Sequence, residues 1–179
     1  MKIFLTFILL TLASCGTGMK ISKSNFKAPY KNLSVIYQNN SFKTNRQRYG
    51  SPTLLSLFEI QNTFTDSVQT IFNEAGDLKI VYSDTSTQME KIFHGTFSKK
   101  GYWEIFLRNK KKEIPPLMPI IYGKYNINRI RIALTLEDDL LIDNMWNESA
   151  NIFIFGAGDK GRRQQIFQTI KLKQSKENE

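Results

Sequence analysis

The chain has 179 residues, 41% apolar and 23% charged, with a formal net charge of +9. That length suits one domain, and ordinary globular composition excludes a disordered or low-complexity chain. A single cysteine and a single histidine exclude a disulfide scaffold and a multi-cysteine zinc or iron–sulfur site, and argue against a histidine-based metal centre. No metal and no cofactor are expected.

The N-terminus reads MKIFLTFILLTLASC. Lys2 is followed by an apolar run at residues 3–12 broken only by two threonines. A bilayer core of about 30 Å needs roughly 20 helical residues, so this run is too short to span it. It fits the apolar region of a secretory signal. The run ends in Leu12-Ala13-Ser14-Cys15, which resembles the lipobox of bacterial lipoproteins. The alternatives are a plain secretory signal cut nearby and a buried apolar N-terminal strand. The resemblance implies a signal peptide at 1–14, cleavage before Cys15, and a lipid thioether on its thiol. At ~0.8 kcal/mol per buried CH₂, two or more acyl chains give stable anchoring without a transmembrane helix. By the family's sorting pattern, Gly16 after the cysteine implies the outer membrane. Residues 17–23, with two lysines and no acid, imply its periplasmic face.

Residues 15–31 are rich in Gly, Ser, Lys and Asn and read as a flexible tether. Residues 32–173 form the folded domain, and 174–179 a disordered tail. Within the domain, short runs of period two predict strands near 33–37, 68–72, 78–82, 92–97, 102–108, 120–125, 129–136, 140–145, 152–155 and 166–172. The clearest has Ile130, Ile132, Leu134 and Leu136 alternating with Arg129, Arg131, Ala133 and Thr135, one dry face against one wet face. Hairpin turns are expected at Glu74-Ala75-Gly76-Asp77, at Ser98-Lys99-Lys100-Gly101 and at Glu137-Asp138-Asp139. One short helix is predicted near 52–60, capped by Ser51 with Pro52 in its first turn, where its leucines could plug one end of a barrel. Pro115, Pro116 and Pro119 cannot donate to a ladder, so they belong at an edge, a bulge or a long loop. The predicted fold is all-β: an antiparallel up-and-down meander closing as a barrel or a sandwich.

Few residues carry a chemical signature. Gly156-Ala157-Gly158-Asp159-Lys160-Gly161 matches GxGxxG, but 165–172 reads as a strand where a dinucleotide site needs a helix. It is expected to be a glycine-rich hairpin loop. His94 lacks an evident orienting partner and nucleophile, so it reads as a surface or pocket histidine. The acids at 137–139, with Asp143 near, lack the spacing of a calcium loop and read as a solvated turn. Lys110, Lys111, Lys112, Lys160, Arg162 and Arg163 are candidate contacts for an anionic surface. The aromatic set of 13 Phe, 7 Tyr and 2 Trp could line a cavity, and more commonly fills a core.

The meander resembles the lipocalin-like β-barrel domains of small envelope lipoproteins. The lipocalin glycine and tryptophan of the first strand are replaced here by Leu33-Ser34-Val35-Ile36-Tyr37, so no ligand residue carries over. The leading expectation is a membrane-anchored, non-enzymatic β-barrel. It would bind a small hydrophobic ligand or an envelope protein, and no nucleic acid. The alternatives are an envelope hydrolase using a carboxylate pair, and a structural or assembly lipoprotein with a solid core and an exposed binding edge.

Overall fold

The structure, a computed structural model, describes residues 23–44, 52–61, 65–84, 87–114, 122–152 and 155–171. Cys15 with the lipobox-like residues before it, Ser51, the three prolines at 115, 116 and 119, and the 174–179 tail lie outside these residues. In chain order the elements are β1 (Ser34–Gln38), β2 (Lys43–Thr44), α1 (Leu54–Leu57), β3 (Ser67–Phe72), β4 (Leu78–Asp84) and β5 (Thr87–Phe93). Then follow β6 (Thr96–Ser98), β7 (Tyr102–Ile114), β8 (Tyr122–Leu134), β9 (Leu140–Ile152) and β10 (Phe155–Phe167). They make two antiparallel sheets, ordered β1-β3-β4-β5 and β2-β10-β9-β8-β7-β6. No helix among the described residues is long and apolar enough to cross a membrane.

The two sheets face each other across one core. The small sheet contributes Tyr37, Val68, Phe72, Leu78 and Ile80, and the large sheet Trp103, Ile130, Ile132, Leu134, Ile142 and Phe167. Each such buried side chain contributes roughly 1.5–3 kcal/mol. The predicted all-β meander thus takes a two-layered form, without one continuous closed ladder. The layers are joined at two corners. On one side β5 runs into β6 through Gly95. On the other, the chain after β10 crosses to the small sheet, where Gln38 N–H donates to the Gln168 carbonyl at 2.9 Å and Ile170 N–H to that of Ile36 at 2.8 Å.

Helix α1 packs into the core between the sheets, with Leu54, Leu55 and Phe58 at most 1% exposed. Its cap is Thr53 rather than the expected Ser51: the Thr53 hydroxyl accepts from the Ser56 N–H at 3.1 Å. Buried Asn39 takes the other helix N–H groups, its carbonyl accepting from Leu54 and its Oδ1 from Leu55.

Several expectations from the periodicity need correction. The stretch 92–97 is two strands, β5 and β6, because the chain turns the corner at Gly95. The described parts of the runs at 120–125 and 129–136 make one strand, β8, which ends at Leu134 and leaves Leu136 exposed in the turn, and the Asn144–Asn151 region belongs to β9. The glycine run 156–161 is no hairpin loop but the first half of β10, paired residue by residue with β9. Polar and glycine-rich sequence remains strand here because neighbouring ladders satisfy its backbone. The tether expected over 15–31 is, from Phe26 onward, laid on the large sheet. Phe26 packs with Tyr102, Ala133 and Leu141 on the face away from the core, and Lys27 exchanges two 2.8 Å backbone bonds with Leu134. The supposed wet face of β8 is therefore dry in part, with Arg131 only 4% exposed.

Trp103 fastens the β5–β6 corner. Its Nε1 donates to the Gly76 carbonyl at 2.7 Å, and its ring meets Phe72 edge-on at 5.7 Å. The ring also fills the space above Gly95, where an added Cβ would come within 2.2 Å of it and 2.8 Å of the Glu104 carbonyl. Gly95→Ala is expected to cost ~1–3 kcal/mol in urea unfolding. Gly156→Ala, with its nearest neighbour at 3.5 Å, should stay within about 0.5 kcal/mol of wild type. Equal costs would contradict the corner's role.

Tyr37 is fully buried, and its hydroxyl meets no hydrogen-bond partner among the described residues. Burial, then the charges of Asp138 and Asp139, push its phenol far above its ordinary value. The folded chain therefore keeps this proton after the unfolded chain has lost it. Stability should be unaffected by this group below pH ~10 and fall above it by up to ~1.4 kcal/mol per pH unit. Tyr37→Phe should unfold within ~1 kcal/mol of wild type at pH 7, since no bond is lost, and should remove that alkaline slope. An unchanged slope between pH 10 and 11 would refute it.

Candidate binding site on the projecting sheet

Strands β7 to β10 each have 13 residues, against at most 7 in the facing sheet. At about 3.3 Å per residue, the long strands run roughly 43 Å and their partners roughly 23 Å. The outer halves of β7–β10 therefore leave the two-layered body as a single sheet, called the blade below. Residues 109–113 and 155–160 are exposed throughout. Register places the side chains in cross-strand rows. On the face continuing from the core, the rows outward are Arg108/Asn128/Trp146/Gly161, then Lys110/Asn126/Glu148/Asp159, then Lys112/Lys124/Ala150/Ala157.

A β-bulge builds the first row. The register of β7 on β8 shifts between Phe106 and Arg108, so Leu107 packs toward the core and Arg108 follows it onto the same face. Strict alternation would have sent Arg108 to the opposite side. Its guanidinium meets Glu59 just past α1, with Nε at 3.0 Å and Nη2 at 2.9 Å from Oε1. Nη1 donates to Glu148, and to Asn126 Oδ1 at 3.2 Å. Glu59 stands at φ 58, a left-handed conformation that side chains other than glycine and asparagine seldom adopt. That backbone turn aims its carboxylate at Arg108 and at Asn128 Nδ2, 2.7 Å away. Asn144 Nδ2 extends the chain to Asn128 Oδ1 at 2.8 Å.

Trp146 lies beside this network. Its Nε1 donates to Asp159 Oδ2 at 2.8 Å, and the Arg163 guanidinium sits 5.5 Å from its ring centroid. The indole lies across Gly161, where an added Cβ would fall 2.4 Å from it. The result is a shelf of amides, three carboxylates, two guanidiniums and an indole at the junction of body and blade. Such a surface offers donors and acceptors in fixed places to a polar partner.

The opposite face carries a second charged array, closer to the body. Arg162 grips Asp143 in a bidentate pair, both contacts at 2.6 Å, and Asp143 is fully buried. Glu104 takes Arg131 and, at 3.7 Å, Arg129. Burial, then the neighbouring Arg131, pushes the Arg129 guanidinium below its usual value. Further out, Lys111 pairs with Glu113 at 3.0 Å, and Glu113 also accepts from the Tyr125 hydroxyl.

The six cations singled out from sequence do not share one face. Lys110 and Lys112 project on the shelf side of the blade and Lys111 on the other. Lys160 borders a shallow depression of about 280 Å³ with Ser149, Asn151, Gly156 and Gly158. Arg162 is committed to Asp143, and Arg163 to Trp146. Sequence reasoning missed Glu59, Asn126, Asn128, Asn144, Trp146 and Glu148. One signal was available: counting back by twos from Ile132 and Ile130 puts Asn128 and Asn126 on the core-side face.

Elsewhere, His94 stands exposed at the β5–β6 corner, its Nδ1 3.0 Å from Asp77. That contact holds the Asp77 carboxyl below its usual range. The acids at 138 and 139 organise the β8–β9 turn. Asp138 pairs with Lys27 at 2.6 Å, and Asp139 accepts from the Thr169 N–H at 2.9 Å. Among the described residues no group of three or more His, Cys, Asp or Glu could hold a metal ion. No family model, curated protein or solved structure matches the chain.

The two charge arrays should respond differently to truncation. Arg108, Glu59 and Glu148 are each at least a third exposed, so Arg108→Ala should cost about 1 kcal/mol or less. Arg162→Ala strands a fully buried carboxylate and should cost roughly 3 kcal/mol or more. Urea midpoints in one buffer check both. An Arg108 cost equal to that of Arg162 would mean the shelf is part of the stabilising core.

Proposed function

We propose that this chain is a lipid-anchored envelope protein, held at Cys15, whose β domain is a binding module working through the shelf. The observation that carries the binding reading is the network of Arg108, Glu59, Asn126, Asn128, Glu148 and Trp146. It is built by a bulge and a left-handed turn, and it stands on sheet that the small sheet does not cover. The middle of the body is filled by Trp103, Tyr37, Phe58, Phe72 and Phe167, all at most 1% exposed. That filling supports a partner held on the surface, such as an envelope protein, over a small hydrophobic ligand enclosed between the sheets. The hydrolase alternative finds less support, because Glu59 and Glu148 are both ion-pair partners of one guanidinium. The signal pattern, Gly16 and the acid-free residues after it favour the periplasmic face of the outer membrane.

Two readouts on the full chain in cells test this. Wild type should take up radiolabelled fatty acid and Cys15→Ser should not; absence of label on wild type would end the anchor reading. A photo-crosslinking residue in place of Trp146 should give a discrete envelope adduct, whereas one in place of Met89, exposed on β5, should give none. The reverse pattern would end the shelf reading.

A further inference from the structure

The far end of the blade differs from the shelf. Its last cross-strand row consists of Ile114, Tyr122, Ile152 and Phe155, one residue from each of the four strands. All four are apolar or aromatic, at the end of a sheet that projects into solvent. Phe155 is 77% exposed, the most exposed large hydrophobic residue among those described. Two residues back, the row on the same face is Lys112, Lys124, Ala150 and Ala157, and Lys110 lies one row further in. These three lysines form no ion pair among the described residues. The acids nearby are engaged: Glu113 with Lys111 and Tyr125, Glu148 with Arg108, Asp159 with Trp146.

We infer that the strand-end row around Phe155, backed by Lys110, Lys112 and Lys124, is a membrane-docking edge that enters the headgroup region of an anionic bilayer. An apolar front with a cationic row about 7 Å behind it, at ~3.3 Å per residue, matches the depth profile of such a surface. Apolar and aromatic groups settle at the boundary of headgroups and acyl chains, while lysine ammoniums reach back to the phosphates. A second copy of the chain would present the same lysines and be repelled by them. The inference goes beyond the anchored-binder reading and stands on the strand-end geometry alone.

If the anchor also holds, the geometry has a consequence. Lys27 is bonded at the Leu134 end of β8, twelve residues and about 40 Å from the row at Tyr122. Two attachments then draw the long strands toward the membrane plane.

The test uses the full chain purified from membranes, labelled with a nitroxide at Phe155→Cys and reconstituted into phosphatidylcholine vesicles with or without phosphatidylglycerol. A second reporter at Ala157→Cys guards against local damage, and Thr87→Cys on β5 is the aqueous reference. In anionic vesicles, the label at 155 should favour oxygen over a nickel chelate as collision partner several-fold more than the label at 87. Replacing Lys110, Lys112 and Lys124 by Glu should abolish that difference. An aqueous signal at both 155 and 157 in anionic vesicles would overturn the inference. So would dipolar broadening between labels at 155, which would mean a second copy covers the edge. Nitroxide uptake by wild type would instead report a free Cys15 thiol, and hence failure of the anchor reading alone.

Discussion

The unequal length of the two facing sheets governs the rest of the molecule. A strand needs its ladder to satisfy its backbone, but it needs a second layer only where its side chains are apolar. Strands β7–β10 pair with one another along nearly their whole lengths, with β7 and β10 as the blade's edges, while the small sheet and α1 cover only one half. In the covered half the inward residues of β7 and β8 are Trp, Ile and Leu, with Asn144, Arg163 and Gln165 already polar beside them on β9 and β10. From the Arg108/Asn128/Trp146/Gly161 row outward the rows are mostly Asn, Arg, Glu and Lys, until the strand-end row of Ile114, Tyr122, Ile152 and Phe155. The last turn of sequence around α1 marks the same boundary, since Phe58 belongs to the core and Glu59 to the shelf.

Local devices hold that boundary in place. Trp103 ties the corner between the sheets to the β3–β4 turn through Gly76, and needs Gly95 for room. The bulge after Phe106 moves one cation from the back of the sheet to its front. On the back lie the buried Asp143–Arg162 pair and the Glu104–Arg131 pair, and the Tyr102 ring lies 4.6 Å from the Arg131 guanidinium. Buried ion pairs of this kind stabilise little compared with apolar replacements but are costly to break singly. Their value here is positional: Asp143–Arg162 joins β9 to β10 and Glu104–Arg131 joins β7 to β8 where the blade begins.

Sequence reading recovers what depends on periodicity. The alternation of Ile130, Ile132 and Leu134 identified the core face of β8, and the turns at 74–77, 98–101 and 137–139 were legible from their glycines and acids. It fails where cover and register decide. Nothing in Asn126 to Asn128 or Asn144 to Asn151 alternates, because no second layer rewards alternation there, and so β8 and β9 read as fragments. The glycines at 156, 158 and 161 suggested a loop; the ladder with β9 keeps them in a strand, and Gly161 serves to seat Trp146. A period of two carried along β7 puts Arg108 on the wrong face, because one extra residue in a bulge is invisible to it. Glu59 could not be tied to Arg108, 49 residues away, without the fold.

The working surface, on this reading, is the uncovered half of the large sheet rather than the space between the sheets. Amide hydrogen exchange on the full chain, compared between native envelope membranes and detergent, tests that most directly. Added protection in the membranes should fall on residues 108–114, 122–128, 146–152 and 155–161, with β1, β3, β4 and β5 unchanged. Added protection on the small sheet, or none on the blade, would contradict it.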